Sequence, residues 1–191
     1  MKLRSVLLAC IAIAGMLVPY GAWAHALNES GGWAAGISHP FLGADHLLAM
    51  LAVGFWAAQT GGRAKWAVPL TFVSIMVGGA LIAMAGIPLQ SVESGVAASV
   101  LALGLLVAFA IRLPLAAGMT LAGVFALFHG HAHGTELPAM VSPWIYAAGF
   151  VVATGLLHAS GIAAARVLDA QRLRIAGACV AVAGAAFLLG S

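Results

Sequence analysis

Six runs of mostly apolar residues follow one another along the chain, and each predicts a membrane-spanning helix. A helix needs about 20 apolar residues to cross a hydrocarbon core about 30 Å thick. The runs cover approximately residues 40–59, 66–86, 95–111, 115–128, 143–163 and 173–189. This pattern predicts an all-α fold: a polytopic helical membrane protein with six transmembrane helices, called spans one to six.

Basic residues between the spans predict the orientation of the chain. Beyond the N-terminal segment they all lie after spans one, three and five, at Arg63, Lys65, Arg112, Arg166, Arg172 and Arg174. The loops over residues 87–94 and 130–142 contain no Lys or Arg. Because cytoplasmic loops are enriched in Lys and Arg, we expect a multi-pass protein of a bacterial inner membrane with both mature termini in the periplasm.

The first 24 residues have the pattern of a secretory signal peptide. Lys2 and Arg4 form the basic start, residues 6–18 the apolar segment, and Ala22-Trp23-Ala24 a small-x-small cleavage site. Cleavage after Ala24 would leave residues 25–191 as a single six-span transmembrane domain.

Composition supports a membrane protein, since hydrophobic residues make up 63% of the chain and charged residues 7%. The mean hydropathy is +1.09. The formal net charge of +3 does not indicate a nucleic-acid partner, because the basic residues are spread over the loops. The partner implied by these values is the lipid bilayer.

The first motif that carries chemistry is HPFLGADH, residues 39–46, at the start of span one. His39 and His46 are seven residues apart, which places them on nearly the same face of a helix two turns apart. Asp45 is either a metal ligand or a group that orients an imidazole. Pro40 is expected as the first helical residue, and a bend at Gly43 would bring the three side chains together.

The second motif is FHGHAHGTE, residues 128–136, at the end of span four. If the helix continues, His129 and His133 share one face and His131 points away. If the chain becomes extended after Gly130, all three imidazoles line one side. Glu136 adds an oxygen ligand, although the segment also fits a solvated, histidine-rich loop.

His158 lies deep in span five, about 22 Å from its outer end at 1.5 Å per residue. It is either a hydrogen-bonded packing residue, with Thr154 or Ser160 as partner, or an inner station for an ion. The candidate ligands of all three regions are imidazoles and carboxylates without paired cysteines. They favour Ni²⁺, Co²⁺, Zn²⁺ or Cu²⁺ over Cu⁺, Mg²⁺ or Ca²⁺, and do not single out one of them.

At the two motifs the chain resembles the HupE/UreJ family of membrane proteins, and the resemblance extends over essentially the whole mature chain. It implies a nickel permease with a functional link to hydrogenase or urease maturation. It also implies metal-handling roles for His39, Asp45, His46, His129, His131 and Glu136. His133 and His158 are added from the residue patterns.

The preferred hypothesis is a secondary permease that moves Ni²⁺ inward, with Co²⁺ or Zn²⁺ as other possible ions, without enzymatic activity or a prosthetic group. No phosphate-binding loop occurs in the sequence. The alternatives are a metal sensor or hydrogenase/urease assembly factor that does not transport, and a membrane metallohydrolase with Asp45 or Glu136 as general base. A fourth is a haem protein with His46 and His129 as axial ligands.

Overall fold

The computed structural model describes residues 31–137 and 141–191, and every regular element in those ranges is an α-helix. The helices are α1 (Gly31–Leu42), α2 (Ala44–Thr60), α3 (Ala64–Met84), α4 (Val92–Ala108), α5 (Leu115–Thr135), α6 (Pro143–Val167) and α7 (Ala170–Gly190). The all-α prediction is confirmed. The predicted signal peptide, residues 1–24, lies outside the described residues.

Four of the described helices, α3, α5, α6 and α7, are long and apolar enough to cross a membrane. The pair α1 and α2 reaches this length only together, and it is bent by 80° at its junction. α4 is apolar but has only 17 residues. Four candidate spans, or five with the bent pair, agree with a polytopic membrane protein, while the total of six stays a prediction.

The first predicted span, over residues 40–59, is wrong as one straight helix. The chain forms two helices that meet at Gly43, whose backbone is extended with φ −88° and ψ 113°. α2 begins directly afterwards. Its first helical hydrogen bond runs from the N–H of Leu47 to the carbonyl oxygen of Gly43, at 2.9 Å.

The prediction that Pro40 is the first helical residue is also wrong, because α1 begins at Gly31 and contains Pro40 near its end. A proline inside a helix lacks the N–H that would bond to the preceding turn, and α1 stops two residues later. The residues before Pro40 are helical because they pack tightly against α6. A Cβ atom on Gly36 would collide with the backbone carbonyl of Tyr146.

The fourth predicted span ends too early, since α5 continues past residue 128 to Thr135. Gly130 and Gly134 lie directly against the α3 backbone at Met76 and Ala80. Small residues allow such close approach between membrane helices. This packing carries the helical conformation through the second motif and excludes the extended alternative.

Hydrogen bonds join the helix ends on the side of the basic loops. The Nε1–H of Trp56 donates to the carbonyl oxygen of Ile111 at 2.8 Å, and the amide of Gln59 donates to that of Val107 at 3.1 Å. Arg174 at the start of α7 bonds to the same end of α4. The two motifs lie at the opposite end of the bundle.

Candidate metal site

The bend between α1 and α2 brings the two histidines of the first motif together. His39 lies in the last turn of α1 and His46 in the first turn of α2. Their ring centroids are 6.4 Å apart, whereas residues seven apart in a straight helix are separated by about 10 Å along the axis. The alternative with a bend at Gly43 is therefore confirmed, and the bend of 80° brings the two imidazoles closer together.

Asp45 holds the ring of His46 in place. Its Oδ1 atom accepts a hydrogen bond from the backbone N–H of His46 at 2.7 Å and lies 2.9 Å from the Nδ1 atom of the same residue. An ionised carboxylate only accepts, so Nδ1 carries the hydrogen, and in the neutral imidazole Nε2 carries the lone pair. This geometry favours the orienting role of Asp45 over direct metal binding.

Helix α5 supplies the other two imidazoles of the site. His129 and His133 are one turn apart on the same face, and their ring centroids lie 4.7 Å and 4.6 Å from that of His46. The centroid of His39 lies 4.8 Å from that of His133. We call His39, His133, His46 and His129 the histidine cluster, since their rings are in continuous contact in that order.

Burial leaves several nitrogens of the histidine cluster without partners. His129 is 0% and His133 is 1% exposed. Among the described residues, neither nitrogen of His133 has a hydrogen-bond partner, and the same is true of His46 Nε2 and His129 Nδ1. A buried polar atom left unsatisfied costs about 1–3 kcal/mol. Such a concentration of unpaired imidazole nitrogens is what a metal ion would satisfy.

Glu136 joins the cluster at its exposed end. Its Oε2 atom lies 3.0 Å from the Nε2 atom of His39. Ligand atoms of His39, His133 and Glu136 lie within 4.8 Å of one another, which is close enough for one ion to bind all three. The hydrogen bond from His39 lowers the pKa of the Glu136 carboxyl, against the smaller effect of its partial burial.

Three carboxylates from separate parts of the chain line a cavity of about 390 Å³ at this end of the protein. Asp45 and Glu136 belong to the two motifs, and Glu93 comes from the first turn of α4. The last residue, Ser191, lines the same cavity. We call this cavity the acidic vestibule. The sequence gives no signal that Glu93 faces the motif carboxylates, because their proximity arises only from helix packing.

His131 is not brought into the histidine cluster. Its Nε2 atom donates to the carbonyl oxygen of Ile87 at 3.0 Å, on the other side of α5. The helical alternative for the second motif is therefore confirmed, and the extended alternative, which would align three imidazoles, is wrong.

His158 lies on α6, farther from Glu136 along the bundle than the histidine cluster. Only 1% of the residue is exposed. Neither of its ring nitrogens has a hydrogen-bond partner in the described part of the chain, and the hydroxyl of Thr154 is equally unpaired there. The structure thus does not provide the hydrogen bond that a packing role would require. Phe72 separates His158 from the cluster, with ring centroids 5.4 Å from His158 and 5.5 Å from His129.

Aromatic side chains around the imidazoles were not identified from the sequence. Phe150 stacks on His133 with centroids 4.7 Å apart, and Tyr146 contacts His39 at 5.9 Å. A signal for them exists, because Tyr146, Phe150, Thr154 and His158 recur every four residues along α6. This spacing places them on one face of the helix.

Comparisons with known proteins agree with the two motifs. The family described as HupE / UreJ protein matches residues 12–187. Protein HupE from Rhizobium leguminosarum bv. viciae is 46% identical over 182 residues, which cover 93% of this chain and 95% of that protein. No solved structure gives a significant match. The chain therefore belongs to the HupE/UreJ family.

Proposed function

We propose that this protein is an inner-membrane secondary permease that takes up a divalent transition-metal ion, with Ni²⁺ favoured and Co²⁺ or Zn²⁺ as other possible ions. One observation carries the proposal. Four imidazoles in continuous ring contact lead from the half-exposed Glu136 into the buried interior, with unpaired nitrogens among the described residues.

Entry uses His39, His133 and Glu136. Nitrogens bound to one ion at about 2.0–2.1 Å are at most about 4 Å apart, so the 4.8 Å limit for these ligand atoms requires only small side-chain movements. The ion would take the place of the hydrogen between His39 and Glu136, and in the neutral imidazole that hydrogen would move to Nδ1 of His39, which leaves Nε2 free to bind. The acidic vestibule attracts the cation and repels anions.

Transfer inward proceeds by exchange of one imidazole for the next, from His133 to His46 to His129. Adjacent ring centroids are 4.6 Å and 4.7 Å apart, so an ion can bind both members of each pair. Asp45 keeps Nε2 of His46 available. Stepwise exchange satisfies the requirement that each site binds strongly enough to replace water and weakly enough to release the ion.

His158 is the inner station in this proposal. The apolar ring of Phe72 lies between His129 and His158, so it must move before the ion passes. Apolar constrictions of this kind gate conduction in membrane proteins. The backbone of His158 is held against α2, since a Cβ on Gly54 would collide with its carbonyl oxygen. In this proposal the gate is the Phe72 side chain and not a shift of α6 at His158.

The proposed topology has six spans, with the bent pair α1–α2 as the first and α4 as the third. Two features support it. The acidic vestibule and Ser191 lie together at one end, and the helix ends next to the basic loops lie together at the other. By the positive-inside rule the vestibule faces the periplasm.

Nickel is favoured because the chain belongs to the HupE/UreJ family. Its resemblance to that family implies nickel uptake for hydrogenase or urease maturation. Imidazole and carboxylate ligands suit nickel but also cobalt and zinc. The metal ion is cargo here, and the proposal includes no prosthetic group and no enzymatic activity.

The contacts at the site argue against two of the three alternatives, the metallohydrolase and the haem protein. A metallohydrolase needs a free general base beside the metal, yet Asp45 is bonded to His46 and Glu136 to His39. The rings of His46 and His129 are 4.7 Å apart between centroids, which leaves no room for a porphyrin between them. A sensor or assembly factor would use the same ligands, so only a flux measurement separates it from a permease.

The test is uptake of radioactive nickel by cells that express the protein, with membrane abundance measured for each variant. His46→Ala and His129→Ala should lose uptake at normal abundance. His131→Gln is the matched control, because it keeps a donor for Ile87 and lies outside the cluster. Wild-type uptake no greater than that of empty cells would overturn the permease. Nickel binding by the purified protein without flux in vesicles would assign it to a sensor or assembly factor.

A further inference from the structure

Ser99 on α4 touches the histidine cluster from outside both motifs. It is completely buried, and its Oγ atom lies 2.7 Å from Nε2 of His129 and 2.6 Å from the carbonyl oxygen of Val96. Both distances are those of hydrogen bonds. A serine in an otherwise apolar span gives no sequence signal for a role at a metal site.

The positions of the hydrogens follow from these contacts. A serine hydroxyl has one hydrogen, and a carbonyl oxygen only accepts. Two oxygens 2.6 Å apart require that hydrogen between them, so Ser99 donates to Val96. The Ser99 oxygen must then accept the hydrogen on Nε2 of His129. In the neutral imidazole the lone pair is left on Nδ1, and Nδ1 has no partner within residues 31–137 and 141–191.

We propose that Ser99 is a positioning residue that fixes the tautomer and ring orientation of His129, so that this histidine binds the metal ion through Nδ1. The inference rests on the proposed role of His129 as a ligand. His46 has the opposite arrangement. Its Nδ1–H donates a hydrogen bond to Asp45, which leaves Nε2 for the ion. Two adjacent rings, 4.7 Å apart and nearly perpendicular at 86°, thus offer opposite nitrogens.

Helix α4 therefore belongs to the metal site. Its sequence contains neither of the two motifs and by itself indicates only a role in helix packing. Partners that orient a metal-binding imidazole typically contribute about 10–100-fold to metal affinity. Removal of the Ser99 hydroxyl would leave the Nε2 hydrogen of His129 buried without an acceptor. The ring would then rotate or change tautomer, and Nδ1 would no longer be reserved for the ion.

The test uses the full-length protein in detergent with ¹⁵N-labelled histidine, and Zn²⁺ as a diamagnetic probe. Long-range proton–nitrogen spectra distinguish the tautomers, and the His129 signals are assigned by their loss in His129→Ala. In the wild type we expect a single tautomer with hydrogen on Nε2, and Zn²⁺ should shift Nδ1. In Ser99→Ala the tautomers should mix, and Zn²⁺ affinity should fall about 10–100-fold.

Two further variants separate positioning from packing. Ser99→Thr keeps the hydroxyl and should keep both the wild-type tautomer and most of the affinity. Ser94→Ala, on the same helix but with its hydroxyl 3.4 Å from that of Ser191 and not bonded to His129, should change neither. Zinc bound to Nε2 of His129, or an unchanged spectrum and affinity in Ser99→Ala, would overturn the proposal. Because these readouts do not involve transport, Nδ1 binding without nickel flux would leave the positioning role intact and refute only the permease.

Discussion

The Nε2 atom of His39 lies 3.0 Å from the Oε2 atom of Glu136, so the bend between α1 and α2 is joined directly to the end of α5. The hydrogen bond from His39 lowers the pKa of the Glu136 carboxyl, which keeps it ionised at neutral pH. The pair closes the outer end of the histidine cluster and offers adjacent nitrogen and oxygen ligands to an ion that separates them.

Replacement of Glu136 by Gln should lower nickel uptake by at least about tenfold, since loss of a group that only orients a ligand already costs a metal site about 10–100-fold. The amide retains an acceptor for His39 but removes the charge that attracts a divalent cation. Asp169→Asn is the matched control, since it makes the same change at an exposed carboxylate that caps α7 on the side of the basic loops. Equal uptake by both variants, measured with radioactive nickel at equal abundance, would remove Glu136 from the ion path.

A double-mutant cycle should show that Asp45 acts through His46. Asp45→Asn alone should lower Zn²⁺ affinity about 10–100-fold, because the amide can no longer hold the Nδ1 hydrogen of His46 as a carboxylate does. Combined with His46→Ala, it should add almost nothing, because side chains in one hydrogen-bonded unit are not additive. Isothermal titration of the four proteins measures this coupling. Additive losses would mean that Asp45 binds the ion itself.

Local patterns predicted the parts of the site that lie on one element. The spacing of His129 and His133 places both on one face as soon as α5 is helical. Gly43, between the two histidines of the first motif, likewise indicates a possible bend. The four-residue repeat from Tyr146 to His158 is also visible in the sequence and indicates one face of α6.

Contacts between elements were not predictable in the same way. That His46 meets both His129 and His133 depends on how α2 and α5 pack, and Ser99 enters the site only because α4 packs beside them. The start of α1 does not follow from the local preference of proline for the first helical position, because Gly36 packs on α6 and the helix begins before it. Sequence periodicity describes faces of single helices, whereas these contacts are properties of the assembled bundle.

The close approach of α3 and α5 should be essential for holding the second motif. Gly130→Ala places a methyl group against the Met76 carbonyl, and the overpacking should destabilise the protein by about 1–3 kcal/mol. Gly78→Ala, on α3, is the control, because a Cβ there has no neighbour within 4 Å among the described residues. Thermal unfolding in detergent should show a lower midpoint for Gly130→Ala only. Similar midpoints for the two variants would contradict the tight contact.

Substitution of His158 should separate metal binding from metal transport. In proteoliposomes that contain a metal-sensitive dye, His158→Ala should lower the inward flux of Ni²⁺ strongly, because the ion loses its ligand beyond Phe72. The affinity of the purified protein for Zn²⁺ should stay unchanged, since the histidine cluster is intact. Leu157→Ala is the matched control, as Leu157 is a buried neighbour on the same helix and lacks a ligand atom.

Phe72→Trp tests the same path by enlarging the side chain between the two ligands instead of removing a ligand. A larger ring between His129 and His158 should slow the flux while the outer ligands still bind, because Phe72 is completely buried and already contacts both imidazoles. Zinc titration and flux are measured on the same preparation. If His158→Ala transports like Leu157→Ala, the ion does not pass His158. If Phe72→Trp loses zinc affinity together with flux, the ring supports the cluster and does not gate the path.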